Sequence, residues 1–137
     1  MTRPWTFHSA GSLIFGRDSV NQLGDVAGRL AANRVFVVTD TVLKAGGIVA
    51  RVAEPLAKAG VTVEVFDGGK PEPAVEVVRA AIEAAKAFRP DAVLGLGGGS
   101  NMDTAKLAAL CLAHGGDPTD YVGDCRVPGP VKPLVCV

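Results

Sequence analysis

Gly95-Leu96-Gly97-Gly98-Gly99-Ser100-Asn101-Met102-Asp103 follows the apolar run Ala92-Val93-Leu94 and opens a helical pattern that continues to about Ala113. An apolar strand that runs into three consecutive glycines and then a helix has a specific chemistry. Gly97, Gly98 and Gly99 permit close approach to the main chain and unusual dihedral angles. The helix behind them offers unsatisfied N–H groups and the positive end of its dipole, which together attract phosphate. The dinucleotide fingerprint GxGxxG is only partly met, because Gly95 and Gly97 fit while Ser100 stands at the third glycine. The stretch is not a P-loop, since no Gly-Lys-Ser/Thr follows. It reads as a pyrophosphate-binding turn. A plainer reading stands beside it: Ser100 and Asp103 form the S-x-x-D pattern of a capping box and simply start the helix. A capped helix end is also an anion site, so the two readings are compatible.

Working outward, Val35-Phe36-Val37-Val38 ends at Thr39-Asp40, and Val61 to Phe66 is closed by Asp67-Gly68-Gly69. Pro133 to Val137 begins a fourth run of this kind. Short, nearly continuous apolar runs are expected of strands buried on both faces of a parallel sheet. Helical patterns lie between them. Asp18-Ser19 is placed to cap a helix with the stripe Val20, Leu23, Ala27 and Leu30. Ile48, Val49, Val52 and Leu56 mark a second helix, ended by Gly60. A third is expected to start at Pro73, to bury Val75, Val78, Ile82 and Ala85, and to end near Arg89-Pro90. The alternation implies right-handed crossovers and an α/β fold, a Rossmann-like three-layer parallel sheet with flanking helices. Trp5 to Phe15 reads as an extended lead-in. Asp117 to Pro133 reads as a turn-rich loop. The whole of residues 1–137 is then one dinucleotide-binding domain, and stopping inside a strand behind such a loop reads as a truncation.

The 137 residues are 48% hydrophobic and carry 14 basic and 14 acidic side chains. The neutral balance lacks the basic footprint of a nucleic-acid binder. No apolar stretch approaches the roughly 20 residues that a membrane span needs. Met1 to Ala10 has no apolar signal core, so the cytoplasm is the expected compartment. Cys111, Cys125 and Cys136 show no CxxC spacing, and Cys111 and Cys136 read as small core residues. His8 and His114 have no partner at metal-ligand spacing.

Asp40 lies at the carboxyl end of a strand, where open α/β sheets bind their ligands. A carboxylate there either accepts hydrogen bonds from adenosine ribose hydroxyls, favouring NAD over NADP, or caps the segment beginning at Thr41. Lys106 lies three residues after Asp103. It either pairs with that carboxylate on the helix surface or contacts phosphate or substrate.

Gly97-Gly98-Gly99-Ser100-Asn101-Met102-Asp103-Thr104-Ala105-Lys106 resembles the GGGSxxDxAK motif of the iron-containing (group III) alcohol dehydrogenases. Phe15-Gly16, Val38-Thr39-Asp40, Pro71-Glu72-Pro73, Asp120-Tyr121 and the final strand resemble that family too, so the likeness covers nearly the whole chain. It implies a dehydroquinate synthase-like N-terminal nucleotide-binding domain, with Gly97, Gly98, Gly99 and Ser100 on the pyrophosphate. Asp40 would match the ribose aspartate and Asp103 the motif aspartate near the nicotinamide, with Lys106 closing the motif. Pro71-Glu72-Pro73 matches a turn that often reads Pro-Asn-Pro, and Glu72 departs from it. The family's helical C-terminal domain, which supplies an aspartate and three histidines to Fe2+ or Zn2+, has no counterpart in these residues. In the family the ion polarises an alcohol oxygen and NAD accepts hydride. The resemblance thus implies an alcohol or aldehyde substrate, a homodimer, and no turnover by these residues alone. A glycerol dehydrogenase or maleylacetate reductase relative is the alternative enzyme. A stand-alone nucleotide-binding domain is the alternative of another class.

Overall fold

The computed structural model describes residues 11–137. Four strands, β1 (Arg34–Val38), β2 (Thr62–Phe66), β3 (Ala92–Gly95) and β4 (Leu134–Cys136), form one all-parallel sheet in the order β2-β1-β3-β4. Among the described residues five α-helices accompany them: α1 (Leu23–Arg29), α2 (Thr41–Ala45), α3 (Ile48–Lys58), α4 (Val75–Phe88) and α5 (Gly99–His114). The chain leaves β1 in one direction to make β2, then passes back across β1 to make β3. With right-handed crossovers, that reversal places the helices on opposite faces.

The two core clusters record this division. Val35 and Val37 point to one face, where they pack with Leu23, Ala27, Val49, Val52 and Leu56 from α1 and α3. Phe36 and Val38 point to the other, against Val78, Ile82 and Ala85 of α4 and Ala105, Ala108 and Ala109 of α5. The period of two along β1 thus feeds both outer layers. The Rossmann-like three-layer sheet implied by the sequence is the fold observed.

Several local expectations are corrected. β2 is an edge strand with Thr62 and Glu64 exposed, so it is not buried on both faces. Asp18 sits at the N-cap of a 3-10 turn (Ser19–Gln22) that precedes α1, but at φ 58° its side chain makes no cap bond within the described residues, and its carboxylate faces Arg51 at 3.5 Å. Leu30 lies just past the end of α1 and is exposed. Pro73 lies outside α4, whose N-cap is Ala74. The other end of α4 agrees with the expectation: the helix stops at Phe88, with Arg89 as its C-cap at φ 54°, beside Pro90. Cys136 is exposed, whereas Cys111 is buried. The 117–133 loop opens on a built turn and is irregular only after it. Asp117 and Asp120 form a reciprocal capping box on a 3-10 turn (Pro118–Tyr121). The lead-in up to Ala10, His8 included, lies outside the described residues, and among the described residues no helix is long and apolar enough to cross a membrane.

Candidate nucleotide site

The reversal of strand order lies between β1 and β3, so a crevice opens beyond their carboxyl ends. Asp40 follows β1 and the triple glycine follows β3, which brings two stretches far apart in sequence to the two lips of one crevice. The Gly97 N–H is tied to Val137 O at 2.9 Å, fixing the turn to the end of β4. Gly97 has φ +122°, and a Cβ there would stand 2.7 Å from both Asn101 Nδ2 and Leu43 Cδ1. No side chain fits.

Gly98 and Gly99 differ in kind. Among the described residues a Cβ on either would meet nothing within 4 Å, so both face open space in front of α5. Among the described residues, the N–H groups of Gly98, Gly99 and Ser100 have no backbone acceptor outside the helix, as the first turn of any helix requires. Ser100 Oγ accepts from the Glu72 N–H at 3.3 Å and keeps its own hydrogen to donate. The turn therefore offers N–H groups, a hydroxyl and a helix dipole around a cradle free of side chains, which fits a diphosphate.

The capping box proposed for this helix does not form. The N-cap is Gly98, with no side-chain cap, so Ser100 sits inside the first turn. Asp103 instead accepts from Lys106 Nζ at 3.0 Å, and these side chains are 66% and 56% exposed. That pairing holds the Lys106 pKa above its ordinary value, chiefly through the hydrogen bond. Neither residue hydrogen-bonds to Asp40 or to the glycine turn.

Asp40 does cap α2. Its Oδ1 accepts from the Leu43 N–H at 2.9 Å, and its Oδ2 accepts from Asn101 Nδ2 at 2.8 Å. The Leu43 N–H first, and the Asn101 amide second, hold its carboxyl below the usual carboxylate range. Among the described residues each oxygen has one hydrogen-bond partner and keeps acceptor capacity for a ligand. Capping and ligand binding are thus compatible.

Asn101 is the site residue that the motif hides, since the motif leaves its position open. It is buried, 4% exposed, and its amide also donates to Leu96 O at 3.0 Å. The available signal was its type: asparagine is a poor choice inside a helix unless its side chain has work to do. Gly69 belongs with it, because a Cβ there would collide with Asn101 Oδ1 and lie 2.5 Å from Thr39 O. Among the described residues, no three of His, Cys, Asp and Glu are grouped so as to hold a metal ion.

Residues 10–137 match the family model for iron-containing alcohol dehydrogenase. This chain belongs to the iron-containing alcohol dehydrogenase family. It is 35% identical over 124 residues to the NAD-dependent methanol dehydrogenase of Bacillus methanolicus, a match covering 90% of this chain and 32% of that one. The fold matches the crystal structure of a 1,3-propanediol oxidoreductase with a TM-score of 0.93 at 28% identity, over 98% of this chain and 35% of that one. It also matches a sulfoacetaldehyde reductase from Bifidobacterium kashiwanohense in complex with NAD+, with a TM-score of 0.86 at 25% identity, over 98% and 36%. The chain spans about a third of the length of these relatives.

Proposed function

We propose that this chain is the nucleotide-binding domain of an NAD-dependent, metal-dependent alcohol dehydrogenase, with Asp40, Gly97, Gly98, Gly99 and Ser100 holding the cofactor. One observation carries the reading: a fixed carboxylate and a bare glycine turn face one another across the β1–β3 crevice. The pyrophosphate rests on the N–H groups of Gly98, Gly99 and Ser100, and the Ser100 hydroxyl donates to a phosphate oxygen. Asp40 accepts from the adenosine ribose hydroxyls, and its charge repels a 2′-phosphate, so NAD is preferred over NADP. Bound NAD supplies the hydride acceptor. Asp103, one turn along α5, is assigned to the nicotinamide end on the likeness of the motif, and Lys106, about a turn further on, closes the motif.

The three relatives are named for methanol, 1,3-propanediol and sulfoacetaldehyde. A domain common to such different substrates serves what they share, the cofactor. The relatives are roughly three times as long, and the iron or zinc ligands belong, on this reading, to a helical domain in that additional part. The whole enzyme then works on a small alcohol or aldehyde, in the cytoplasm and as a homodimer.

Calorimetric titration of this chain with NAD, NADP and ADP tests the reading. NAD and ADP are expected to bind, and NADP to bind at least about tenfold more weakly, the worth of one strong charge interaction. NADP binding as tight as NAD would overturn the role of Asp40. Binding of none of the three would overturn the site. With added Fe2+ or Zn2+, no turnover of simple alcohols by this chain is expected, and sustained turnover would refute the division of labour.

A further inference from the structure

We propose that Asn101 is a positioning residue for cofactor choice: its carboxamide fixes the Asp40 carboxylate at the ribose end of the crevice from the helix that seats the pyrophosphate. The inference rests on the reading of the crevice as an NAD site.

An asparagine amide has two hydrogens, and both are used here. One goes to Asp40 Oδ2 at 2.8 Å, the other to Leu96 O at 3.0 Å. Facing two acceptors, the nitrogen end is assigned without ambiguity, and Oδ1 turns toward Gly69. Two separate loops make room for this one group. Gly97 lies against its nitrogen and Gly69 against its oxygen, and a side chain at either position would displace it. The carboxamide therefore sits in a fitted slot that crosses from the end of β3 to the end of β1.

The consequence falls on Asp40. With Oδ1 held by Leu43 and Oδ2 held by Asn101, the carboxylate plane is fixed. One acceptor position on each oxygen is left for a vicinal diol, and a stationary negative charge faces any 2′-phosphate. Without the amide, only the cap bond to Leu43 remains and the carboxylate is free to turn. It then loses part of its grip on the diol and part of its power to exclude the phosphate. Asn101 never touches the cofactor in this scheme; it acts through Asp40.

Asn101→Ala and the milder Asn101→Ser, the latter kept in case the alanine variant does not fold, test this in the chain alongside Asp40→Ala and the double variant. Two quantities are read: the ratio of NAD to NADP affinity, and the acid titration of the Asp40 carboxyl by carbon NMR. The Asn101 variants are expected to lower the NAD-over-NADP ratio roughly tenfold, as loss of a hydrogen bond to a charged group allows. They are also expected to move the Asp40 titration up toward its ordinary value. In the Asp40→Ala background, removing Asn101 should leave the ratio where Asp40→Ala alone put it. Equal weakening of both nucleotides, with the ratio unchanged, would overturn the inference and leave Asn101 a packing residue. An unchanged Asp40 titration would overturn it as well. If the unmutated chain binds neither nucleotide, the NAD reading falls and the inference falls with it. A normal NAD preference that survives loss of Asn101 removes the inference alone.

Discussion

The backbone N–H of Glu72 donates to Ser100 Oγ at 3.3 Å, so the loop between β2 and α4 is tied to the first turn of α5. To make that contact Glu72 takes φ 46°, a left-handed conformation, without being glycine or asparagine. An ordinary L-residue pays roughly 1–2 kcal/mol there, and asparagine pays less because its short side chain bonds locally. The Pro-Asn-Pro form of the turn that this segment resembles is thereby explained.

Glu72→Asn should stabilise the chain by about 0.5–1 kcal/mol. It also removes a negative charge near the proposed pyrophosphate seat, so NAD affinity should not fall. Denaturant midpoints and a NAD titration check both. A lower midpoint would mean that the glutamate side chain makes up for its backbone strain.

Thr39 supplies a second stability prediction. It is completely buried at the end of β1, and its Oγ1 has no hydrogen-bond partner among the described residues. A buried hydroxyl without a partner is a net cost, and valine has the same shape without the polar atom. Thr39→Val should raise stability by roughly 1 kcal/mol. Loss of stability on urea unfolding would show that the hydroxyl is satisfied in solution.

These positions also mark where the sequence can and cannot be read. Val35 to Val38 and the Val78, Ile82, Ala85 stripe announce their elements because burial imposes periods of two and 3.6 on side chains. Asp40 and the glycines can be placed together once the strands are ordered, since ligands bind where strand order reverses. Helix starts are less legible, because they depend on which acceptor happens to be in reach. Ser100-x-x-Asp103 has the pattern of a box and makes none, whereas Asp117 and Asp120 make one. Asn101 is the hardest case. Its partner Asp40 is 61 residues away in sequence, and no local pattern records a contact of that range.

Acid unfolding should report on Asp117. The Arg79 guanidinium grips both carboxylate oxygens, at 2.7 and 3.1 Å, and Thr119 adds a backbone donor. The Arg79 bond foremost, then Thr119, hold this carboxyl well below its ordinary 3.8. A carboxyl whose folded pKa is depressed contributes stability that is complete above the unfolded value and is lost as pH falls through the folded one. Stability should therefore decline steadily below about pH 4. Asp117→Asn should be less stable near neutrality and show a shallower acid decline, measured as denaturant midpoints against pH. A variant with the unchanged acid slope would dismiss this carboxylate as the source.

The glycine turn predicts opposite behaviour at adjacent positions. Gly97→Ala forces a Cβ to 2.7 Å from Asn101 Nδ2 and Leu43 Cδ1 at φ +122°, so the fold itself must yield. A cost of roughly 2–3 kcal/mol is expected from the strain and overpacking together. Gly98 has φ −71° and open space before it, so Gly98→Ala should change stability by less than about 0.5 kcal/mol. Its methyl group, however, stands where a diphosphate would rest, and NAD affinity should drop by roughly tenfold or more. Thermal melts and nucleotide titrations on the two variants separate the roles. The first is a fold defect that carries binding down with it, the second a binding defect in an intact fold. If Gly98→Ala bound NAD as tightly as the parent chain, the pyrophosphate could not lie against this turn.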